Sequence, residues 1–307
     1  MLMKCSPIKQ VIIYSGHEIN EHFGPYYANI DKMTELFKQL NLLREQMWEV
    51  SQVPGEKLIE RLKKANPKET LLVIPAGESS SFDKVFTNTE TTFLKEEFFN
   101  VGGRGFLTCG SAYWVTAKRD YNDFRQEESE IRKRVVKTTN LNLCPWTSKG
   151  PLCPLPGSKY TPGYFSDAIR VTDDKKNECS FYLSGGGSFI KDEPSELLPF
   201  KKMKLDSDET DKVKVLVRYL PSELLRHKKT TQEENAVVIS KVGEGAVLLS
   251  MFHPYYGPDD VDVEAYEKFF PDSGTNWKKV KEKLSPLEKR LDFVFNSMIT
   301  KLERMDF

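Results

Sequence analysis

The sequence predicts an open, mainly parallel α/β sheet, because short apolar strands alternate with amphipathic helices along its first half. The runs at 71–74 (LLVI) and 105–108 (GFLT) are largely apolar, and each stops at a turn of small residues. Such strands are typical of parallel sheets, whose two faces are both covered by helices. The length of 307 residues allows one large domain or two modest domains of roughly 100–200 residues each.

The elements of the first half follow from apolar spacing, which has a period of 3.6 residues in helices and runs unbroken in buried strands. In order they are a strand at 9–14, a helix at 29–43, a weak strand at 47–50, a helix at 55–65, a strand at 71–74, a helix at 92–100, a strand at 105–108 and a helix at 111–117. Active crevices of such sheets form beyond the carboxyl ends of the strands. Three strand ends are therefore expected to meet there, at 15–17, 75–78 and 109–111.

The second half predicts antiparallel strands and hairpins rather than further strand–helix units. Residues 119–135 are charged and are predicted to be helical or irregular, and the Pro- and Gly-rich residues 140–163 predict a long loop. A charged insertion is expected at 191–212. Strands are predicted at 169–172, 179–183, 213–219, 236–241 and 246–252, and an amphipathic helix that packs on the core is predicted from Ser285.

Composition excludes several classes of protein. Lys plus Arg and Asp plus Glu both number 45, so the formal net charge is zero, which argues against nucleic-acid binding driven by bulk charge. No run approaches the ~20 apolar residues of a membrane helix. The amino terminus does not resemble a cleaved signal peptide, so a cytoplasmic protein is expected, with export by an uncleaved signal left open. The 5 cysteines include no C-x-x-C pair, so neither a disulfide framework nor a zinc site is expected.

Cys109 is the leading candidate nucleophile, because it lies between an apolar strand and a helix start of small residues. A tight turn there exposes the side chain, and backbone N–H groups of the helix start favour a thiolate and an oxyanion. Among the 4 histidines, His253 follows an apolar strand and precedes Pro254, which suits a general base for a thiol. A buried structural cysteine and a surface-loop histidine are the alternative interpretations.

Six segments in order resemble the amidotransferase-like domain at the amino terminus of eukaryotic-type biotin-protein ligases, within the class I glutamine amidotransferase-like superfamily. They are VIIYSG (11–16), LLVIPAGESSSF (71–82), VGGRGFLTCGSAYW (101–114), FYLSGGGSF (181–189), VKVLVRY (213–219) and AVVISKVGEGAVLLSMFHPYY (236–256). The resemblance implies a flavodoxin-like open sheet with additional antiparallel strands over residues 1–258, and a helical C-terminal extension over 259–307 packed on it. A free-standing relative without the ligase domain is expected.

The resemblance also implies a site. Cys109 and His253 would hydrolyse an amide or transfer an acyl group through a thioester, with an oxyanion site near Gly77 and the Gly110 N–H. The pocket would include Glu78, Ser111, Tyr113, Gly186 and Tyr255.

The sequence departs from the family pattern at four positions, of which Ala76, in the turn where the family has Pro-Gly-Gly, is a mild change. In the family, the sharp strand-to-helix turn that carries the cysteine, called the elbow, has glycines two residues before and two residues after the cysteine; here these positions are Leu107 and Ser111. Tyr255 stands where an acid usually follows the histidine by two residues. Without a carboxylate, the imidazole lacks the group that orients it and stabilises its charged form.

Two hypotheses stay open. The first is a cysteine-dependent amidohydrolase or acyl-transfer enzyme, and the second is a catalytically inactive module that binds a small molecule or protein in the same cleft. The missing acid, the missing elbow glycine and an aromatic rim favour the second; the rim residues are Tyr113, Trp114, Tyr164, Tyr255 and Tyr256.

Other ligands are poorly supported. A metal site at His17 and His22, with Glu18 or Glu21, is disfavoured because histidines five residues apart do not share one helix face in the H-E-x-x-H manner. No glycine-rich phosphate loop follows the first strand, so no cofactor is expected. No membrane or nucleic-acid partner is expected, and the substrate, the partner and the oligomeric state do not follow from the sequence.

Overall fold

The computed structural model describes residues 6–16, 29–122, 134–139, 141–152, 166–191, 212–226, 231–269 and 275–305. Several residues that the sequence singles out lie outside these ranges: Cys5, His17, Glu18, Glu21, His22, Cys153, Tyr164 and His227.

Within these ranges, thirteen strands form two sheets. The strands are β1 (Gln10–Tyr14), β2 (Glu49–Val53), β3 (Thr70–Ile74), β4 (Arg104–Thr108), β5 (Thr116–Asn122), β6 (Arg134–Thr138), β7 (Cys144–Gly150), β8 (Ser166–Asp173), β9 (Glu178–Ser184), β10 (Ser188–Ile190), β11 (Val213–Tyr219), β12 (Asn235–Val242) and β13 (Gly245–Ser250). The large sheet has the order β2-β1-β3-β4-β13-β12-β11-β8-β9, and the small sheet has the order β10-β7-β5-β6.

The helices cover the large sheet and extend the chain at its C-terminal end. They are α1 (Asn29–Arg44), α2 (Gly55–Lys63), α3 (Ser79–Val85), α4 (Asn88–Thr92), α5 (Gly110–Val115), α6 (Pro221–Arg226), α7 (Val263–Phe269), α8 (Trp277–Lys283), α9 (Leu287–Val294) and α10 (Thr300–Arg304). Two further stretches are π-helical. Phe93–Phe99 continues α4, and Phe295–Ile299 joins α9 to α10. Within the described residues, none of these helices is both long and apolar enough to cross a membrane.

The centre of the large sheet is parallel, as the unbroken apolar strands predict. β2, β1, β3, β4 and β13 pair in parallel, and β13, β12, β11, β8 and β9 pair antiparallel. All five residues of β3 and of β4 are buried. The apolar face of α1, which includes Met33, Phe37 and Leu40, is also buried. The predicted α/β class with additional antiparallel strands is therefore confirmed.

The antiparallel half of the large sheet curls back on itself. In pairing order β9 is the far edge strand, yet Tyr182 of β9 forms an antiparallel bridge with His253, just beyond β13. The His253 N–H donates to the Tyr182 carbonyl at 2.8 Å. The Phe181 ring stacks on Phe252, with centroids 4.4 Å apart. This closure brings the end of β9 beside the centre of the sheet, where the parallel strands end.

The described residues at 116–122, 134–139 and 141–150 differ from the prediction. Segments expected to be helical, irregular or loop form β5, β6 and β7 instead. Apolar spacing does not reveal β5, because this strand buries charged side chains that are paired with groups on another element. Arg119 is only 3% exposed; its guanidinium donates to the Ser79 carbonyl at 2.9 Å and pairs with Asp83.

The helical C-terminal extension is confirmed and packs on the antiparallel strands. The Ser285 N–H donates to the Ser180 carbonyl at 3.1 Å, and the Ser297 hydroxyl donates to the Asp173 carboxylate at 2.7 Å. Phe293 packs edge-on against Phe181, with ring centroids 5.5 Å apart. The boundary between a domain over 1–258 and an extension over 259–307 stays a prediction.

Candidate active site at the strand ends

Cys109 occupies a sharp turn between β4 and α5. Its backbone has φ +52° and ψ −116°, a conformation that a side chain with a Cβ rarely adopts and that costs on the order of 1–3 kcal/mol. Two backbone hydrogen bonds hold the turn. The Cys109 N–H donates to the Ser250 carbonyl at 2.7 Å, and the Tyr113 N–H donates to the Cys109 carbonyl at 3.0 Å.

Gly110 brings the turn after β3 against this elbow. A Cβ built at Gly110 would lie 1.6 Å from the Gly77 carbonyl oxygen and 3.2 Å from the Ser79 nitrogen. Only glycine fits such a close backbone approach. The two turns predicted to form an oxyanion site are therefore in contact.

Ser111 supports the elbow from below. It is fully buried, and its hydroxyl oxygen lies 2.8 Å from the Ile74 carbonyl and 2.9 Å from both the N–H and the carbonyl of Thr108. The hydroxyl is fully hydrogen-bonded to these backbone groups. Ser111 therefore links β3 to β4 and does not face a ligand. Leu107, at the other missing glycine, is buried in the core.

A glycine-rich turn after β9 lies against the thiol of Cys109, a residue that is half-buried. Sγ lies 3.7 Å from the Ser184 carbonyl, and the N–H groups of Gly110 and Gly186 also face it. Tyr113 holds this turn by donating from its hydroxyl to the Gly186 carbonyl at 2.9 Å. Burial raises the pKa of the Cys109 thiol to about 11, against the opposing effect of the two N–H groups. The thiol is therefore neutral at pH 7.

His253 is buried, with 3% of its surface exposed. Its Nδ1 lies 2.9 Å from the Tyr255 hydroxyl oxygen. Its Nε2 forms no hydrogen bond with any described residue, Cys109 included. Burial lowers the pKa of His253 to about 3. The imidazole is thus neutral at physiological pH and is not hydrogen-bonded to the candidate nucleophile.

Tyr255 takes the position behind the imidazole that a carboxylate would occupy. Burial raises the pKa of Tyr255, with the Thr108 hydroxyl and the Ala76 backbone opposing that rise, so the phenol is neutral as well. The neighbouring acid Asp260 is directed elsewhere: it accepts from the Gly257 N–H at 2.7 Å and pairs with Lys32. Thiol, imidazole and phenol together form an uncharged site.

A buried arginine anchors the segment that carries His253 and Tyr255. Arg290 of α9 is 3% exposed; it donates to the Pro254 carbonyl at 2.9 Å and to the Ser285 carbonyl at 3.1 Å. Burial lowers its pKa, while Asp260 and Asp259 oppose that effect. The C-terminal extension thus fixes the backbone beside the histidine.

Two other predicted residues lie in the surroundings of the crevice. Glu78 is half-buried before α3, where its carboxylate accepts from the Ser80 hydroxyl at 2.7 Å. The predicted aromatic rim is not an exposed rim, since Tyr113, Trp114, Tyr255 and Tyr256 are all buried. Trp114 stacks on Phe82 with ring centroids 5.2 Å apart. In the described ranges no three His, Cys, Asp or Glu side chains are grouped so as to hold a metal ion.

Sequence reasoning missed two buried polar residues, one bonded to the turn after β3 and one beside Tyr255. Asn29, at the start of α1, is buried and donates to the Ala76 carbonyl at 3.3 Å, while its Oδ1 has no hydrogen bond to a described residue. Thr108, directly before Cys109, is fully buried, and its hydroxyl faces the Tyr255 phenol without a hydrogen bond of normal geometry. A polar residue at the last position of an apolar strand, as Thr108 is, could have identified one of them.

The chain that forms this crevice matches a known family over almost its full length. The family described as "Biotin-protein ligase, N terminal" matches residues 10–304, a range that crosses the predicted boundary at 258. The chain matches no curated protein sequence at a significant level.

Several solved structures are similar to this chain. A glutamine amidotransferase is 14% identical with a TM-score of 0.45, covering 86% of this chain and 99% of that chain. A ThuA-like protein from Bacteroides uniformis is 13% identical with a TM-score of 0.43, covering 88% and 90%. The glutaminase domain of Trypanosoma brucei CTPS with bound acivicin is 9% identical with a TM-score of 0.39, covering 91% and 96%. By the extent of the family match, the chain belongs to the biotin-protein ligase N-terminal family.

Proposed function

We propose that this protein is a binding module, which recognises a small molecule or protein segment in the crevice around Cys109, His253 and Tyr255 without rapid amide hydrolysis. One observation carries the proposal: His253 pairs through Nδ1 with the Tyr255 phenol and forms no hydrogen bond with Cys109. A Cys–His nucleophile requires a base that takes the thiol proton and a partner that stabilises the resulting imidazolium.

The protonation states support this proposal. The Cys109 pKa of about 11 leaves roughly one thiol in 10⁴ ionised at pH 7. Burial raises the pKa of Cys109 and lowers the pKa of His253, so both shifts oppose transfer of the proton from the thiol to the imidazole. The resting site therefore lacks the ion pair on which glutamine hydrolysis depends.

Unsatisfied polar atoms support ligand binding. His253 Nε2, Thr108 Oγ1 and Asn29 Oδ1 are all buried and have no hydrogen bond with described residues. Each such atom destabilises the folded chain by about 1–3 kcal/mol. A bound ligand with matching donors and acceptors offsets that cost.

The direct test is ammonia release from L-glutamine by the wild type and by Cys109→Ser. We expect no release above background from either protein. We also expect a panel of small amides and carboxylic acids to contain members that shift the NMR signals of His253 equally in both proteins. Turnover that disappears in Cys109→Ser would contradict the proposal, as would a panel with no effect on His253.

A second candidate function is Cys109-dependent acyl transfer. The left-handed backbone of Cys109 favours it, since strain of this kind concentrates at functional positions. In that case an electrophile such as iodoacetamide would label Cys109 in a reaction that His253→Ala slows. In a binding module, His253→Ala leaves the labelling rate unchanged or increases it by opening the site.

A further inference from the structure

We propose that Tyr255 fixes His253 as its Nε2–H tautomer, so that the imidazole offers a hydrogen-bond donor to a ligand instead of a base to Cys109. This inference rests on the proposed binding function and adds the chemistry of the ligand. Tyr255 is a positioning residue, because it acts through the histidine.

The hydrogen-bond partners of the phenol determine the tautomer. The Tyr255 oxygen lies 2.9 Å from His253 Nδ1. Thr108 Oγ1 also lies near the phenol, but it forms no hydrogen bond of normal distance and angle with a described residue. Among the described residues, Nδ1 is the acceptor with the better geometry for that proton, and it must then be unprotonated. The proton of the neutral ring is therefore on Nε2.

The opposite tautomer leaves more groups unsatisfied. If Nδ1 carried the proton and donated it to the Tyr255 oxygen, the phenol O–H would have only the poorly placed Thr108 Oγ1 as an acceptor, and the Nε2 lone pair would be unbonded too. With the proton on Nε2, only the Nε2–H is without a partner among described residues. We expect the Nε2–H form to exceed the other by at least about tenfold, given the cost of one buried unpaired donor.

Replacing an acid by tyrosine thus reverses the polarity of the imidazole. An ionised carboxylate only accepts hydrogen bonds, so it takes the Nδ1–H and leaves Nε2 as the basic nitrogen. A neutral phenol donates, and Nε2 then carries the proton. The same ring in the same place becomes a donor to whatever occupies the crevice.

The donor specifies the ligand. A buried, uncharged Nε2–H fits a neutral carbonyl oxygen, such as that of an amide, an ester or a ketone. A free carboxylate would have to leave water for a site in which Cys109, His253 and Tyr255 are all neutral, which is costly without a charged partner. The ligand class is therefore a neutral carbonyl compound.

The test is a long-range ¹H–¹⁵N NMR correlation on full-length protein with ¹⁵N-labelled histidine at pH 7. His253→Gln assigns the ring signals of His253. In the wild type we expect the His253 pattern of a protonated Nε2 and an unprotonated Nδ1. We expect mixed tautomers in Tyr255→Phe and a protonated Nδ1 in Tyr255→Glu. Tyr266→Phe, a buried tyrosine whose partner ring is Trp277, is the matched control and leaves the pattern unchanged.

A wild-type His253 that is protonated on Nδ1, or on both nitrogens, would overturn the inference, and this measurement does not depend on whether a Tyr255 variant folds. The ligand class is tested by titration with acetamide and with acetate. Acetamide should shift the Nε2 signal more strongly, and a larger shift with acetate would overturn the assignment. Turnover of L-glutamine that depends on Cys109 would overturn the proposed function instead, so the two failures are distinguishable.

Discussion

The Gly77 carbonyl lies so close to Gly110 that a Cβ added at Gly110 would be 1.6 Å from its oxygen. Gly110→Ala must therefore push the turn after β3 away from the elbow. We expect a loss of about 1–3 kcal/mol in the free energy of unfolding, the usual range for overpacking a rigid contact. Denaturant unfolding measures this loss.

Gly55→Ala provides the control for that variant, because Gly55 is half-exposed at the start of α2. Alanine favours helix there, so the control should be neutral or slightly stabilising. Equal stabilities of Gly110→Ala and the wild type would mean that the two turns are not in contact.

The thiol of Cys109 should show the reactivity of a protonated cysteine. Because its pKa is about 11, the rate of alkylation by iodoacetamide should rise about tenfold for each pH unit between pH 7 and pH 9.5 without reaching a plateau. Mass spectrometry of the labelled peptide gives the rate, and the buried Cys144 and Cys179 are internal references that should react more slowly. A plateau below pH 9 would show that a neighbouring group activates the thiol.

A carboxylate behind the imidazole should give His253 the basic Nε2 that the wild-type site lacks. In Tyr255→Glu, the acid accepts from His253 Nδ1, raises the pKa of the imidazole and makes Nε2 basic. We expect Cys109 alkylation at pH 8 to be at least about tenfold faster than in the wild type. The gain should vanish when His253→Ala is added to the same chain. An unchanged rate in a folded Tyr255→Glu protein would place Cys109 out of reach of His253.

Removing Arg290 should loosen the segment that holds His253. Arg290→Ala leaves the carbonyls of Pro254 and Ser285 without their donor, so we expect a loss of about 2–4 kcal/mol in the free energy of unfolding. Hydrogen exchange should accelerate at residues 253–257. The matched control is Arg218→Ala. The ion pair between Arg218 and Glu234 is largely exposed, so its loss should lower the free energy of unfolding by less than about 0.5 kcal/mol. Equal losses from both variants would contradict the anchoring role.

Acid should destabilise the protein through His253. Its pKa is about 3 in the folded chain against an ordinary 6.5, so the unfolded state binds a proton between these values that the folded state excludes. Stability therefore falls as the pH drops below 6.5, by about 2 kcal/mol from pH 6.5 to pH 5. Thermal or urea unfolding should show a smaller fall in His253→Gln. The same fall in both proteins would mean that His253 is not buried in neutral form.

The parallel half of the fold could be predicted because its causes are local. Apolar runs, helical spacing and the capping box formed by Thr87 and Glu90 all act within a few residues. The helix predicted from residue 92 nevertheless begins earlier, at Asn88. The Cys109 turn was predictable for the same reason.

The closure of the sheet and the state of the site could not be predicted in this way. The bridge between Tyr182 and His253 joins segments that are distant in sequence, and periodicity carries no information about such pairings. The sequence placed Tyr255 where an acid was expected, but whether its hydroxyl reaches Nδ1 depends on how the whole segment is held. The buried charges of β5 had the same effect, since Arg119 is satisfied by a helix from another part of the chain.

The bridge between Tyr182 and His253 has a consequence for chain synthesis. Cys109 leaves the ribosome long before the segment that carries His253. The glycine-rich turn that lies against the Cys109 sulfur is also synthesised later than Cys109. Until residue 253 has joined β9, the thiol is open to solvent, ionises near its ordinary pKa and reacts with oxidants and electrophiles. Slow alkylation of Cys109 is thus a marker of completed folding, and fast alkylation marks chains that have not yet matured.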